Sequence, residues 1–296
     1  MLPDFIIGGT LPAGTGQLYG LLVQHPEIYL APPMQPECNF FVKSGQYGRG
    51  IAHYEATWFR QVPRTAKAVG ERSSLLLSSA AWAAARVAKH LPDVKLIFLF
   101  RNPVDRAYAN YRFTALAGYE DVTFEEALRT ETQRMREAGR DAFWREIQPH
   151  AYFHRGLYAD QLHTWLEHVP ASRMLLMRSD ELLRDMHGAL RKIYDFLGVD
   201  PSFVAAPFSD FSSPSVTDVK LQRRLRLEQP EGFDAAIQRL REGKPPETPI
   251  DEEVRSNVAG GYEPLRPAFR TALTDRYRDA NLKLRPLVPF SITDWL

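Results

Sequence analysis

What is scarce in this chain of 296 residues closes whole classes of function. There is one cysteine, Cys38, so no internal disulfide and no cysteine-built metal cluster can form, which suits a reducing compartment. Net charge is missing as well: 37 lysines and arginines face 36 aspartates and glutamates, leaving a formal charge of +1. No global field draws the chain to nucleic acid or to an anionic membrane, and any anion site has to be local. Long apolar runs are absent. The opening MLPDFIIGGT has no basic flank, and Phe5-Ile6-Ile7 is far too short for a signal sequence or a membrane span, so a cytoplasmic protein without membrane or nucleic-acid partners is expected.

The most consequential absence is local: no lysine or arginine precedes Lys43. Yet FIIGGTLPAGTGQLYGLL, residues 5–22, reads as the end of a buried strand (4–7), a glycine-rich turn (8–16) and a helix (17–24). That layout holds phosphate through backbone N–H groups and the helix dipole, so Gly14, Thr15 and Gly16 can bind an anion without a cation; the bland alternative is a structural glycine turn. Gln17 and Leu18 break the G-x-x-x-x-G-K-[ST] pattern of nucleotide triphosphatases.

A second strand–turn–helix follows. KLIFLF (95–100) is apolar throughout, as in a strand buried inside a parallel sheet, and Pro103 opens a helix directly after it. Arg101 stands at the junction, where a guanidinium can clamp a phosphate in bidentate fashion; otherwise it is solvated or pairs with Asp105. Helices are expected at 73–90, 123–137, 156–168, 181–197 and 265–283, with a strand at 173–179. The proline-rich stretch 26–36 reads as loop or edge strand. Alternating strands and helices imply an α/β fold with a parallel sheet and ligands at the carboxyl ends of its strands. A single domain spanning 1–296 is expected, with residues 207–255 as a mobile, partly helical lid or insertion. Tyr29, Phe40, Phe41, Tyr47 and Trp58 are candidates either for a pocket lining or for the core.

Together these segments resemble the sulfotransferase superfamily, in particular its bacterial and heparan-sulfate-type branch. The first loop is similar to the family's IG-x-x-K-x-GTT-x-L, LPDVKLIFLFRNPVDRAYANY to its 3′-phosphate segment, HPEIYLAPPMQPECNFF to a stretch ending KE-x-x-FF, and VGERSS to GE-x-SP. The resemblance implies a P-loop-like three-layer fold, a central parallel sheet flanked by helices. It implies 3′-phosphoadenosine-5′-phosphosulfate as co-substrate, no metal, and a small-molecule acceptor; it leaves the oligomeric state open. Position by position, Gly14 and Thr15 match the loop residues that hold the 5′-phosphate, and Arg101 the 3′-phosphate arginine. Glu37 matches the base of the heparan-sulfate-type members, and Asn39 takes the place of a histidine found in some of them. Arg72 falls where some relatives place a lysine facing substrate or sulfate, with Glu71 beside it as a possible partner.

Three positions depart from the pattern. The loop lysine falls on Pro12, the second loop threonine is Gly16, and the serine after Arg101 is Ala109; the C-terminal basic loop is replaced by NVAGGYEP. Replacement cations are sought in Arg72, Arg101, Arg106, Lys220, Arg223 and Arg224. Three functions follow: sulfuryl transfer to a hydroxyl or amine of a small metabolite, with Glu37 and Arg72 as catalytic residues; a repurposed fold performing elimination, cyclisation or rearrangement; or a non-catalytic binding protein.

Overall fold

The structure, a computed structural model, describes residues 1–139, 146–208, 214–259 and 264–296. Its first compact unit comprises Met1–Pro103, Arg155–Asp210 and Thr274–Leu296. At its centre a parallel sheet of five strands, counted among the described residues, runs in the order β2-β3-β1-β4-β5, with β1 Phe5–Gly9, β2 Ile28–Leu30, β3 Ala68–Arg72, β4 Lys95–Phe100 and β5 Met174–Arg178. The α/β class and the central parallel sheet expected from the alternation are therefore present. β1 is buried along its whole length, and so is β4 after Lys95, because apolar side chains cover both faces of these two inner strands. β2 is short and lies at the sheet edge, where a chain segment rich in proline is tolerated.

β3 was not legible as a strand. AVGER carries a glycine and two charged residues, yet all five positions are buried. Gly70 is required there by a neighbour: a Cβ at this position would come within 2.4 Å of the Phe5 ring on β1, whose Cα lies in register with it. The helix expected over 73–90 begins later, at Ala80, after a short 3₁₀ turn at Leu77–Ser79. Its buried face is Ala80, Ala83, Ala84 and Val87, and Lys89 lies in its last turn, where a positive charge suits the helix dipole. The single helix expected over 181–197 is two, Glu181–Arg184 and Met186–Leu197. Asp185 separates them and caps the second through its side chain to Gly188 N.

Connections after β1 lead outward to β2, and those after β4 lead the other way to β5. The carboxyl ends of β1 and β4 therefore flank the point at which strand order reverses, the usual place for a ligand in an open parallel sheet.

The second unit comprises Val104–His154 and Phe211–Leu273. Residues 207–255 are mainly helical where described, with helices Val219–Glu228, Pro230–Arg241 and Pro249–Ser256. Leu225, Phe233, Ala236, Ile237, Ile250 and Val254 close a small core with Leu116, and Thr248 and Asp251 form a capping box on the last helix. Residues 209–213, in the expected lid, and 260–263, in NVAGGYEP, lie outside the described residues. No helix among the described residues is long and apolar enough to cross a membrane.

Candidate active site

β1 runs to Gly9, two residues further than its pattern suggests, and the turn then closes on Gly14, which adopts the left-handed conformation (φ 79°, ψ 15°). Helix Thr15–Leu22 starts immediately afterwards. No side chain caps it, which leaves the N–H groups of its first turn available to an anion. Thr15 and Gly16 are buried within this turn.

Arg72, the last residue of β3, supplies the charge that the loop lacks. Its Nη1 lies 3.5 Å from Thr15 Oγ1 and 3.1 Å from Glu37 Oε1, and its Nη2 donates to the Met34 carbonyl at 2.6 Å. Both ion-paired side chains are almost fully buried, at 6 and 8 % exposure. The buried Nε of Arg72 has no partner among the described residues. The expected pairing of Arg72 with Glu71 is not found: neighbouring residues on a strand face opposite sides of the sheet, so Arg72 turns to Glu37 and Glu71 turns away.

Glu37 is held rather than loose. It accepts from Ser74 N and Ser74 Oγ, each at 2.8 Å, and from Asn39 Nδ2 at 3.2 Å. Asn39 adopts a positive φ of 46°, tolerated by its short polar side chain. One carboxylate and one guanidinium thus meet beside a helix N-terminus, which places a proton acceptor and a positive charge at one spot.

Arg101 follows β4 and is partly exposed. Its carbonyl accepts from the Tyr158 hydroxyl at 2.8 Å, while its guanidinium has no hydrogen bond or ion pair among the described residues. Asp105, the suggested partner, pairs with Arg270 in the second unit. Several other candidate cations are engaged elsewhere in that unit. Arg106 is fully buried and donates to Asn110 and the Tyr152 carbonyl, Arg223 donates to the Tyr119 carbonyl, and Arg224 lies 3.9 Å from Glu228. Lys220 lies on the same helix as Arg223 and Arg224. Ala109 lies on helix Pro103–Leu116. Phe40 and Phe41 are core residues: Phe40 stacks on Tyr54 with ring centroids 4.5 Å apart, and Tyr47 packs against both phenylalanines.

Sequence reasoning missed Ser73 and Ser74, which follow β3 in the GERSS stretch. Ser73 Oγ donates to Glu71, and burial pushes the Glu71 carboxyl up to about 7, aided by the nearby Glu37 and opposed by the Ser73 hydrogen bond. Burial likewise raises the Cys38 thiol.

The sulfotransferase domain family matches residues 2–281, and the chain belongs to that family. The mouse heparan sulfate glucosamine 3-O-sulfotransferase 3B1 is 36% identical over 203 residues, covering 67% of this chain and 46% of the mouse protein. Human bifunctional heparan sulfate N-deacetylase/N-sulfotransferase 3 is 28% identical over 294 residues, 97% of this chain and 30% of the human one. The chain therefore spans half or less of the length of these curated relatives. A sulfotransferase from Alicyclobacillus acidocaldarius has the same fold, with a TM-score of 0.70 over 100% of this chain and 99% of that one at 24% identity.

Proposed function

We propose that the protein transfers a sulfuryl group from 3′-phosphoadenosine-5′-phosphosulfate to a hydroxyl or amine of a small acceptor. The observation that carries this reading is Arg72, a buried cation between Thr15 of the glycine loop and Glu37. The residues fit the sulfonucleotide: an uncapped helix N-terminus and, among the described residues, an Arg72 Nε and an Arg101 guanidinium without partners are three places for its anionic oxygens. Gly14, Thr15 and Gly16 would hold the 5′ end and Arg101 the 3′-phosphate.

When bound, the sulfonucleotide supplies the sulfuryl group and leaves as adenosine 3′,5′-bisphosphate. Glu37 takes the proton of the acceptor hydroxyl or amine as the new bond to sulfur forms and the bond from sulfur to the 5′-phosphate oxygen breaks. Arg72 stabilises the charge that gathers on the departing oxygen, the task of the family's loop lysine. Ser74 and Asn39 keep Glu37 oriented between the cation and the acceptor.

Calorimetric titration with adenosine 3′,5′-bisphosphate tests the site, and transfer of radiolabelled sulfuryl to glucosamine and to N-deacetylated heparan oligosaccharides tests the reaction. Binding in the micromolar range, lost in Arg101→Ala, and transfer lost in Glu37→Gln are the expected results. Absence of binding at millimolar ligand would overturn the reading in favour of a repurposed fold.

A further inference from the structure

Glu71 is fully buried in the middle of the first unit, on β3, with no cation paired to it among the described residues. A carboxyl in that position is expensive, and an apolar side chain would serve the sheet better. Its surroundings say what it does instead. Ser73 Oγ donates to both of its oxygens, at 2.9 and 3.2 Å, and the same hydroxyl accepts from Asn39 N at 3.0 Å. The Cys38 thiol and the Tyr54 hydroxyl also face the carboxyl, although the Tyr54 hydroxyl closes no hydrogen bond of ordinary geometry. Glu37, one residue before Cys38, is the charged group beside it, with its own charge turned toward Arg72. Of the turn that follows Glu37, Cys38 thus lies beside Glu71, and Asn39 is joined to it through the Ser73 hydroxyl.

We propose that Glu71 is a positioning residue: through Ser73 it ties the turn Glu37-Cys38-Asn39 to the central sheet and so fixes Glu37 against Arg72 and Ser74. The strand makes a rigid anchor, because Glu71 is in register with Ile6 of β1. The assignment of a catalytic consequence rests on the reading of Glu37 as the base; the tether itself does not.

Cys38, buried within the turn and unique in the sequence, is a built-in reporter of whether the tether holds. Its labelling by dithiobis-nitrobenzoate is measured on the folded full-length chain, beside the melting curve and the transfer kinetics. Glu71→Ala and Ser73→Ala are expected to label about tenfold or more faster than the parent, as a turn that opens more often should. In both, kcat falls about tenfold while KM for the sulfonucleotide stays within about twofold. Glu71→Gln keeps an acceptor for the Ser73 hydroxyl and should restore both readouts. Labelling as slow as in the parent in Ser73→Ala and Glu71→Gln, with Glu71→Ala either equally slow or unfolded, would overturn the tether. A Gln variant as fast as the Ala variant would overturn it too. A Glu37→Gln enzyme that still transfers would sink the base assignment instead, and leaves the labelling comparison intact.

Discussion

The carboxyl ends of β1 and β4 are built on the same plan, a buried strand running into a helix, yet they obtain positive charge in opposite ways. After β4 the cation is local: Arg101 is the next residue, and its guanidinium is uncommitted among the described residues. After β1 the loop has none, and the charge comes from the end of neighbouring β3, where Arg72 is already bound to Glu37, Met34 and Thr15. A borrowed cation comes with obligations. Whatever moves the Glu37 turn moves the charge at the first strand end, whereas the second strand end is free of that coupling.

Removing the borrowed cation should have the largest effect. On the proposed mechanism Arg72→Ala takes away transition-state stabilisation, and it leaves Glu37 without its ion partner, so kcat should fall by about 10²–10³. Steady-state transfer kinetics check this, with Arg72→Lys expected to recover part of the loss because an ammonium keeps the charge but not the fork. An Arg72→Ala enzyme with unchanged kcat would erase the contrast between the two strand ends.

Next in size is a pH effect confined to the borrowed end. Burial raises the Glu71 carboxyl from its ordinary 4.5 to about 7, so between these values the folded chain binds more protons than the unfolded one. Stability contributed by this group is therefore complete at the acid side and lost as pH rises toward 7, by about 3 kcal/mol in all. Urea unfolding from about pH 5 to about pH 8 should show this decline in the parent chain and a flatter profile in Glu71→Gln. A slope that survives the substitution would assign it to another group.

Arg101→Ala sharpens the comparison from the other side. Losing one charged contact to a phosphate costs about 1.5–3 kcal/mol, a tenfold to roughly hundredfold weaker affinity for adenosine 3′,5′-bisphosphate. Because its guanidinium holds nothing else among the described residues, the melting temperature of the unliganded protein should stay within about 2 °C.

These differences also explain what could be read from the chain. KLIFLF and FII announce themselves because strands buried on both faces are apolar throughout, and Arg101 is visible because it follows such a run. AVGER hides β3 because its glycine makes room for the Phe5 ring, Arg72 is partnered by Glu37, distant in sequence, and Glu71 is buried against the Ser73 hydroxyl just beyond the strand. Arg72 and Glu37 could be nominated from the family resemblance, but their contact joins residues 35 apart. Their link to Thr15 depends on which side of β1 receives β3. The roles of Ser73 and Ser74 were illegible for the same reason, since a serine pair after a strand carries no signal of what it will bind.

The smallest effect isolates the loop's own contribution. Gly14 has φ 79°, a conformation that costs a non-glycine residue about 1–2 kcal/mol, while a Cβ there would come no nearer than 3.8 Å to any atom of the described residues beyond its two chain neighbours. Gly14→Ala is therefore a backbone perturbation with almost no steric part. The melting temperature should drop by a few degrees, and affinity for adenosine 3′,5′-bisphosphate should fall less than about tenfold, because in the proposed site Arg101 holds the other end of the ligand. If affinity instead collapses with the fold intact, the first-turn N–H groups outweigh both arginines, and the difference between a local and a borrowed cation matters less than the geometry of the turn beside them.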